Sequence, residues 1–265
     1  MRATRMYVRR WLSHPRLQPL YSLMGRVAAI GMNYGGAASA QTAGDGVPLE
    51  LLARSAPARP VVVFDVGANV GIYVEEVLAI IGSRASIHAF EPSAVGFARL
   101  RGVVGGVANV TLVNAGVSGT SRSGTLFAPE GGSVLASTYA SPVTGTAGEP
   151  ITLLTLDEYC VANNIEHIDL LKIDIEGAEL DALTGARQLL ARGGIDLIQF
   201  EFGAPNVSAR TYFRDLYDLL SPQYAIFRVL PSGLVPIPAY VPTLEVFLAT
   251  NFLAVRHEKR RDLNL

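Results

Sequence analysis

Residues 61–71 read Val-Val-Val-Phe-Asp-Val-Gly-Ala-Asn-Val-Gly, a buried strand running into a glycine loop. The unbroken run over 61–65 suits a strand covered by helices on both faces of a sheet. Gly67 and Gly71 let the backbone turn sharply and approach a ligand closely, and the helix that starts here offers free N–H groups. A pyrophosphate-binding dinucleotide fold would place glycine at 67, 69 and 72. Asn69 and Ile72 stand there instead. An acid, one spacer, Gly, three spacers and Gly is a loop suited to a nucleoside that bears an amino acid. A tight strand-to-helix turn with no ligand has the same shape.

On either side of this loop, short apolar runs alternate with helical patterns, the signature of a parallel sheet with crossover helices. The pattern predicts helix over 70–81, ended by Gly82, strand over 86–90, a helix from near Ser93 and strand over 110–114. Residues 116–150 are rich in Gly, Ser and Thr and read as a hairpin plus loops, long enough to serve as a substrate lid. Thr155 and Glu158 have capping-box spacing for a helix to about Asn164. Strand over 168–173, helix over 178–190, strand over 195–202 and helix over 208–220 follow. Two β-rich runs, 224–230 and 244–255, close the chain.

Acidic residues fall where such strands end. Glu91, 24 residues after Gly67, is placed to accept hydrogen bonds from a ribose cis-diol, or to interact with the dipole of the next helix; Pro92 fits both. Asn114 meets an adenine edge or caps its own loop. In Lys172-Ile-Asp174-Ile-Glu176-Gly177, alternation puts Lys172 and Asp174 on one face, and Asp174 and Glu176 face the pocket unless Lys172 and a carboxylate form a structural pair. Glu201 would lie beside Asp174 if their strands are neighbours. Two such carboxylates serve as acid and base or as Mg²⁺ ligands, the metal being optional.

The 265 residues are 49% hydrophobic, enough for one substantial core. We expect an N-terminal helical extension or lid over 1–55 and a catalytic domain over 56–265. With 22 basic and 23 acidic residues, the whole chain carries no general attraction for nucleic acid or anionic membranes. Cys160, the single cysteine, favours a reducing, cytoplasmic setting. Arg2, Arg5, Arg9, Arg10 and Arg16 precede Ala37-Ala-Ser-Ala40 in superficial likeness to a secretion signal. Arg26 and the glycines that follow it deny both an apolar signal core and a spanning helix. The extension reads as an arm on the core; its rival reading is a basic helix with Tyr7 and Trp11 on a membrane surface.

Taken together, FDVGANVG (64–71), AFEPS (89–93), IDLLKIDIEGAELDALTGA (168–186), IQFEFG (198–203) and NFLAV (251–255) resemble the FkbM family of S-adenosylmethionine-dependent methyltransferases over about residues 45–256. The resemblance implies an α/β doubly wound, seven-stranded, Rossmann-like sheet, mostly parallel with an antiparallel last strand. It also implies methyl transfer to a hydroxyl oxygen of a sugar, glycan or natural product. Asp65, Gly67, Ala68, Asn69, Gly71, Glu91, Pro92, Asn114 and Asp174 would hold the cofactor, with Asp174, Glu176 and Glu201 as the catalytic set. The loop Asn114-Ala-Gly-Val-Ser-Gly119 departs from relatives that carry Asp or Asn near its end. A small acceptor is the expected partner, with homodimerisation compatible. A non-catalytic cofactor-binding protein and a nicotinamide oxidoreductase are the competing readings.

Overall fold

The computed structural model describes residues 11–38, 43–55, 57, 59–128, 136–140 and 147–265. Arg2, Arg5, Tyr7, Arg9, Arg10, Ser39 and Ala40 lie outside the described residues. Five strands run parallel: β1 (Val61–Val66), β2 (Ala85–Phe90), β3 (Val110–Val113), β7 (Ile168–Ile173) and β8 (Ile195–Phe202). Beyond β8 lie β11 (Thr250–Arg256), β9 (Tyr224–Leu230) and β10 (Gly233–Ile237), each antiparallel to its neighbour. The order is β10-β9-β11-β8-β7-β1-β2-β3. The antiparallel last strand is thus present. The hairpin strand β10 is an eighth strand beyond the seven expected.

Helices cover both faces, as the continuous apolar strands require. In β7 every residue is buried, and Leu170 and Leu171 enter different core clusters because successive side chains point to opposite faces. One cluster gathers Phe64, Phe90, Leu171, Phe200, Phe213 and Phe252; the other gathers Leu49, Val63, Val74, Ile87, Leu170 and Leu197.

Within the expected extension over 1–55, the described residues meet the core unevenly. Helix α1 (Gln18–Gly31) buries no residue, whereas α2 (Gly46–Ser55) sends Leu49 and Leu52 into the core. Between them Asn33 Nδ2 donates to the Val229 carbonyl, and Arg228 sits 4.7 Å above the Tyr34 ring. The packed body therefore takes in part of that extension.

Several elements end earlier than their patterns. Helix α3 (Ile72–Ile80) follows a loop in which Gly67, Asn69 and Gly71 have φ of 91°, 47° and 95°. After α4 (Ala94–Val104), β4 (Gly116–Val117), β5 (Arg122–Phe127) and β6 (Gly148–Leu154) form a separate three-stranded sheet, with β5 and β6 as an antiparallel hairpin. Thr155 caps α5 (Leu156–Ala162) by accepting from Glu158 N at 3.1 Å.

The helix expected over 178–190 is two, α6 (Glu179–Thr184) and α7 (Arg187–Ala191). Gly185 sits so close to the Ser118 carbonyl that a side chain would collide, and Asp157 accepts from Gln188 N and Leu189 N, capping the second piece. Likewise α8 (Pro205–Ala209) stops at Arg210, whose φ is 57°, before α9 (Phe213–Leu220). The run 244–255 is strand only from Thr250 onward.

Candidate active site

The sheet order reverses between β1 and β7, and beyond the carboxyl ends of these strands lies the crevice where such sheets bind ligands. A cavity of about 970 Å³ opens there. It stands near the top of the roughly 300–1,000 Å³ typical of small-molecule sites, with room for two partners. Its walls include Gly67, Ala68, Asn69, Glu91 and Pro92 on one side and Asp174, Glu176 and Glu201 on the other.

Two loops press backbone on backbone beneath it. Gly67 N and Ala68 N donate to the Phe90 carbonyl, Asp174 N donates to the Val66 carbonyl, and Gly67 leaves no space for a Cβ against the Asp174 carbonyl oxygen. Glu91 is buried; its carboxylate accepts from Asn69 N at 2.9 Å and Ser93 N at 2.8 Å. Burial raises its pKa while those two bonds lower it. Asn114 Nδ2 donates to the Glu91 and Pro92 carbonyls from behind the wall. Of the expected cofactor residues, Asp65, Gly71 and Asn114 do not line the cavity.

Asp65 is fully buried, and only its Oδ1 has a partner. That partner is Lys172 Nζ, 3.5 Å from Asp65 and 3.3 Å from Asp174, and 5.0 Å from the centre of the Tyr73 ring. Lys172 thus pairs with both carboxylates, the alternative weighed for this segment, and Asp174 lines the cavity as well. Burial lowers the Lys172 pKa, but Asp174, Asp65 and Asp45 outweigh burial and hold the ammonium charged.

Strands β7 and β8 are neighbours, with Ile173 opposite Phe200, so Asp174 and Glu201 follow adjacent strand ends. Burial pushes the Glu201 carboxyl well above its ordinary range, and the charges of Asp174 and Glu176 push it further. Burial, then Asp174 and Glu179, raises Glu176 to about 8. Glu176 has φ of 54°, a sparsely populated conformation for a non-glycine residue.

Other groups at the site lie outside the expected set. Asp45, on the segment before α2, lines the cavity and accepts from Gln199 Nε2 at 2.6 Å and Asn251 Nδ2 at 2.8 Å. Tyr73 donates to Gln199 Oε1 at 3.2 Å. Glu76 also lines the cavity, with its pKa raised by burial and then by Asp45. Glu179 is buried, accepts from Ile175 N, Gly177 N and Asn206 Nδ2, and so pins the loop that carries Glu176.

The β5–β6 hairpin supplies a further wall through Leu126, Ile151 and Leu153, and Ser137 Oγ donates to the Glu176 carbonyl at 2.7 Å. At the opposite, amino ends of β7 and β8, His167, Asp169 and Asp196 gather closely enough to suit a metal. Arg59, Arg256 and Lys259 already pair with these two aspartates, so the cluster is charge-balanced by protein groups.

Two results follow from the carboxylates. Glu91→Ala leaves two N–H groups without their acceptor, at a cost of about 1–3 kcal/mol in denaturant unfolding. Glu91 therefore braces two loop backbones as well as lining the cavity. The second concerns pH. Glu176 and Glu201 have folded pKa values above their unfolded ones, raised to about 8 and about 9, so the native state holds extra protons between about pH 4.5 and 9. Their contribution to stability is full below that window and is lost as pH rises through it. Melting temperatures of the native chain should therefore fall more steeply with rising pH than those of Glu176→Gln or Glu201→Gln, and identical slopes would contradict the raised values.

A family model described as the methyltransferase FkbM domain matches residues 65–229. No curated protein matches the sequence. Among solved structures, methyltransferase FkbM from Methylobacillus flagellatus KT aligns at 18% identity and a TM-score of 0.47, over 74% of this chain and 43% of that one. The present chain thus spans less than half the length of that relative. A SAM-dependent O-methyltransferase from Thermotoga maritima aligns at 9% identity and a TM-score of 0.42, over 80% and 64%. Aeropyrum pernix fibrillarin, in complex with natively bound S-adenosyl-L-methionine, aligns at 15% identity and 0.43, over 74% and 67%.

Proposed function

The chain belongs to the FkbM methyltransferase domain family, and from that premise we propose that it transfers the methyl group of S-adenosylmethionine to a hydroxyl oxygen of a small molecule, sugar or glycan. The observation that carries this reading is one cavity walled by the Gly67–Asn69 loop and Glu91 on one side and by Asp174, Glu176 and Glu201 on the other. The residues fit a nucleoside-bearing donor: Gly67 permits the close backbone turn, Glu91 supplies a carboxylate, and the volume leaves space for an acceptor. Gly67, Ala68, Asn69, Glu91 and Pro92 would hold it directly, while Asp65, Gly71 and Asn114 act through the loops they brace.

When bound, the donor supplies a methyl group already activated on a sulfonium sulfur. The protein's part is to align the acceptor and take its proton. With that donor bound, a carboxylate of this chain would accept the proton of the acceptor's O–H as its oxygen is methylated. Glu201 suits that role, because a carboxyl with a raised pKa is a stronger base once ionised. Asp174, held by Lys172, orients the acceptor, and Glu176 projects from the strained turn beside it. Lys172 already supplies the cation that Asp174 needs, so we assign these carboxylates to proton handling in preference to Mg²⁺. A cytoplasmic site of action, suggested by the single buried thiol of Cys160, belongs to the same proposal.

Isothermal titration calorimetry with S-adenosylmethionine, its demethylated product and NAD tests the donor. Heat from the first two and a raised melting temperature are expected. In the same assay Glu91→Ala should weaken donor binding at least about tenfold, the loss of a charge-assisted contact. Tight NAD binding with no heat from either sulfur compound would sink the assignment.

A further inference from the structure

Helix α1 lies outside the packed body, and its sequence is not that of a solvated arm. Leu20, Leu23, Met24, Val27 and Ile30 recur at the spacing that places them on one face. All five are exposed, from 51% for Leu20 to 76% for Ile30. Trp11, just before the helix, is exposed as well. A contiguous apolar stripe of this kind marks a surface that meets something.

Charge decides what it meets. Residues 1–44 contain Arg2, Arg5, Arg9, Arg10, Arg16 and Arg26 and no acidic residue, the first being Asp45. The near-neutral total charge thus conceals a strongly basic N-terminal segment on an acidic body. A two-fold pairing of α1 with its copy would bring two such arginine sets together with no acid between them. An anionic lipid surface offers the complement to both features, an apolar boundary for the stripe and negative charge for the arginines.

We propose that α1 and the basic segment around it dock the protein on an anionic membrane surface. No described helix is long and apolar enough to cross a membrane, so the helix lies in the interface with its stripe inserted. The chain that follows is anchored to the sheet: Gly35 N donates to Thr250 Oγ1 and Ala37 N to the Ala249 carbonyl. Ala37 itself lines the cavity, so docking holds the cavity close to the bilayer. The inference rests on the exposed helix and on charge, and it stands whether or not the donor assignment does.

Co-sedimentation of the full chain with vesicles tests it. Vesicles of equal parts phosphatidylglycerol and phosphatidylcholine should bind the protein at least about tenfold more strongly than phosphatidylcholine alone, and added salt should weaken the binding. Leu23→Glu with Val27→Glu, and separately Arg16→Glu with Arg26→Glu, should each reduce binding at least about tenfold. Because all four residues are exposed, thermal melts should be unchanged. Absence of vesicle binding, or binding that the Leu23/Val27 pair leaves intact, overturns the proposal. A dimer in solution that the same pair dissociates, with no vesicle binding, would assign the stripe to a second copy of the chain.

Discussion

Asp174→Asn and Glu201→Gln are each expected to lower methyl transfer by about two to four orders of magnitude at saturating donor and acceptor. Both residues end neighbouring central strands and face one cavity, on the side opposite the Gly67 loop. The amides keep size and much of the hydrogen bonding, so the loss reports on charge and proton acceptance. Donor affinity should change only a few-fold, because the proposal gives the donor to Glu91 and the Gly67 loop and Asp174, also expected among the cofactor residues, to the acceptor.

Stability should also survive in Asp174→Asn, since Lys172 keeps Asp65 as a partner. The pH profile separates the two roles. If Glu201 is the base, activity rises toward alkaline pH as its carboxyl ionises, the limb being displaced upward by burial and by Asp174. Glu201→Gln should lose that limb. Steady-state rates across pH, with calorimetric donor affinities for the same proteins, check both statements. Near-normal turnover of Asp174→Asn would return Lys172–Asp174 to a purely structural pair.

Gly67→Ala is expected to destabilise the fold by about 3 kcal/mol or more and to abolish donor binding. Two separate costs add at this position. Its φ of 91° is strained for any residue with a Cβ, and the Cβ would collide with the Asp174 carbonyl oxygen. Neither partner is a flexible side chain, so relief requires the loops at the ends of β1 and β7 to separate. That movement would displace Asp174 and open the floor of the cavity. Gly82→Ala provides the control: φ is 72° there, but a Cβ meets nothing, so only the backbone cost of roughly 1–2 kcal/mol remains. Chemical denaturation of the two variants isolates the steric part. Equal losses would mean that the two loops are not in the close contact described.

The parts of this protein legible in its sequence are those whose physics is local. The run 61–65 declares a buried strand because few other structures accept consecutive β-branched side chains, and β1 is found as Val61–Val66. Gly67 and Gly71 announce a left-handed loop, and Thr155 announces a cap, through groups only a few residues apart. Carboxylates at strand ends can be placed by counting, since period-two alternation and the crevice rule fix their side of the sheet.

Tertiary structure decided what depends on partners distant in the chain. Glu91 proved to be tied down by Asn69 N and Ser93 N. The expected single helix is two because Asp157 donates its N–H to the Gly185 carbonyl and its carboxylate caps the second piece at Gln188 N and Leu189 N. Asp45, on a segment read as an arm or lid on the core, entered the cavity wall through amides of Gln199 and Asn251 on two central strands. No periodicity or spacing encodes such a bond, because its energy arises only when folding removes both partners from water and leaves each the other's remaining hydrogen-bonding group.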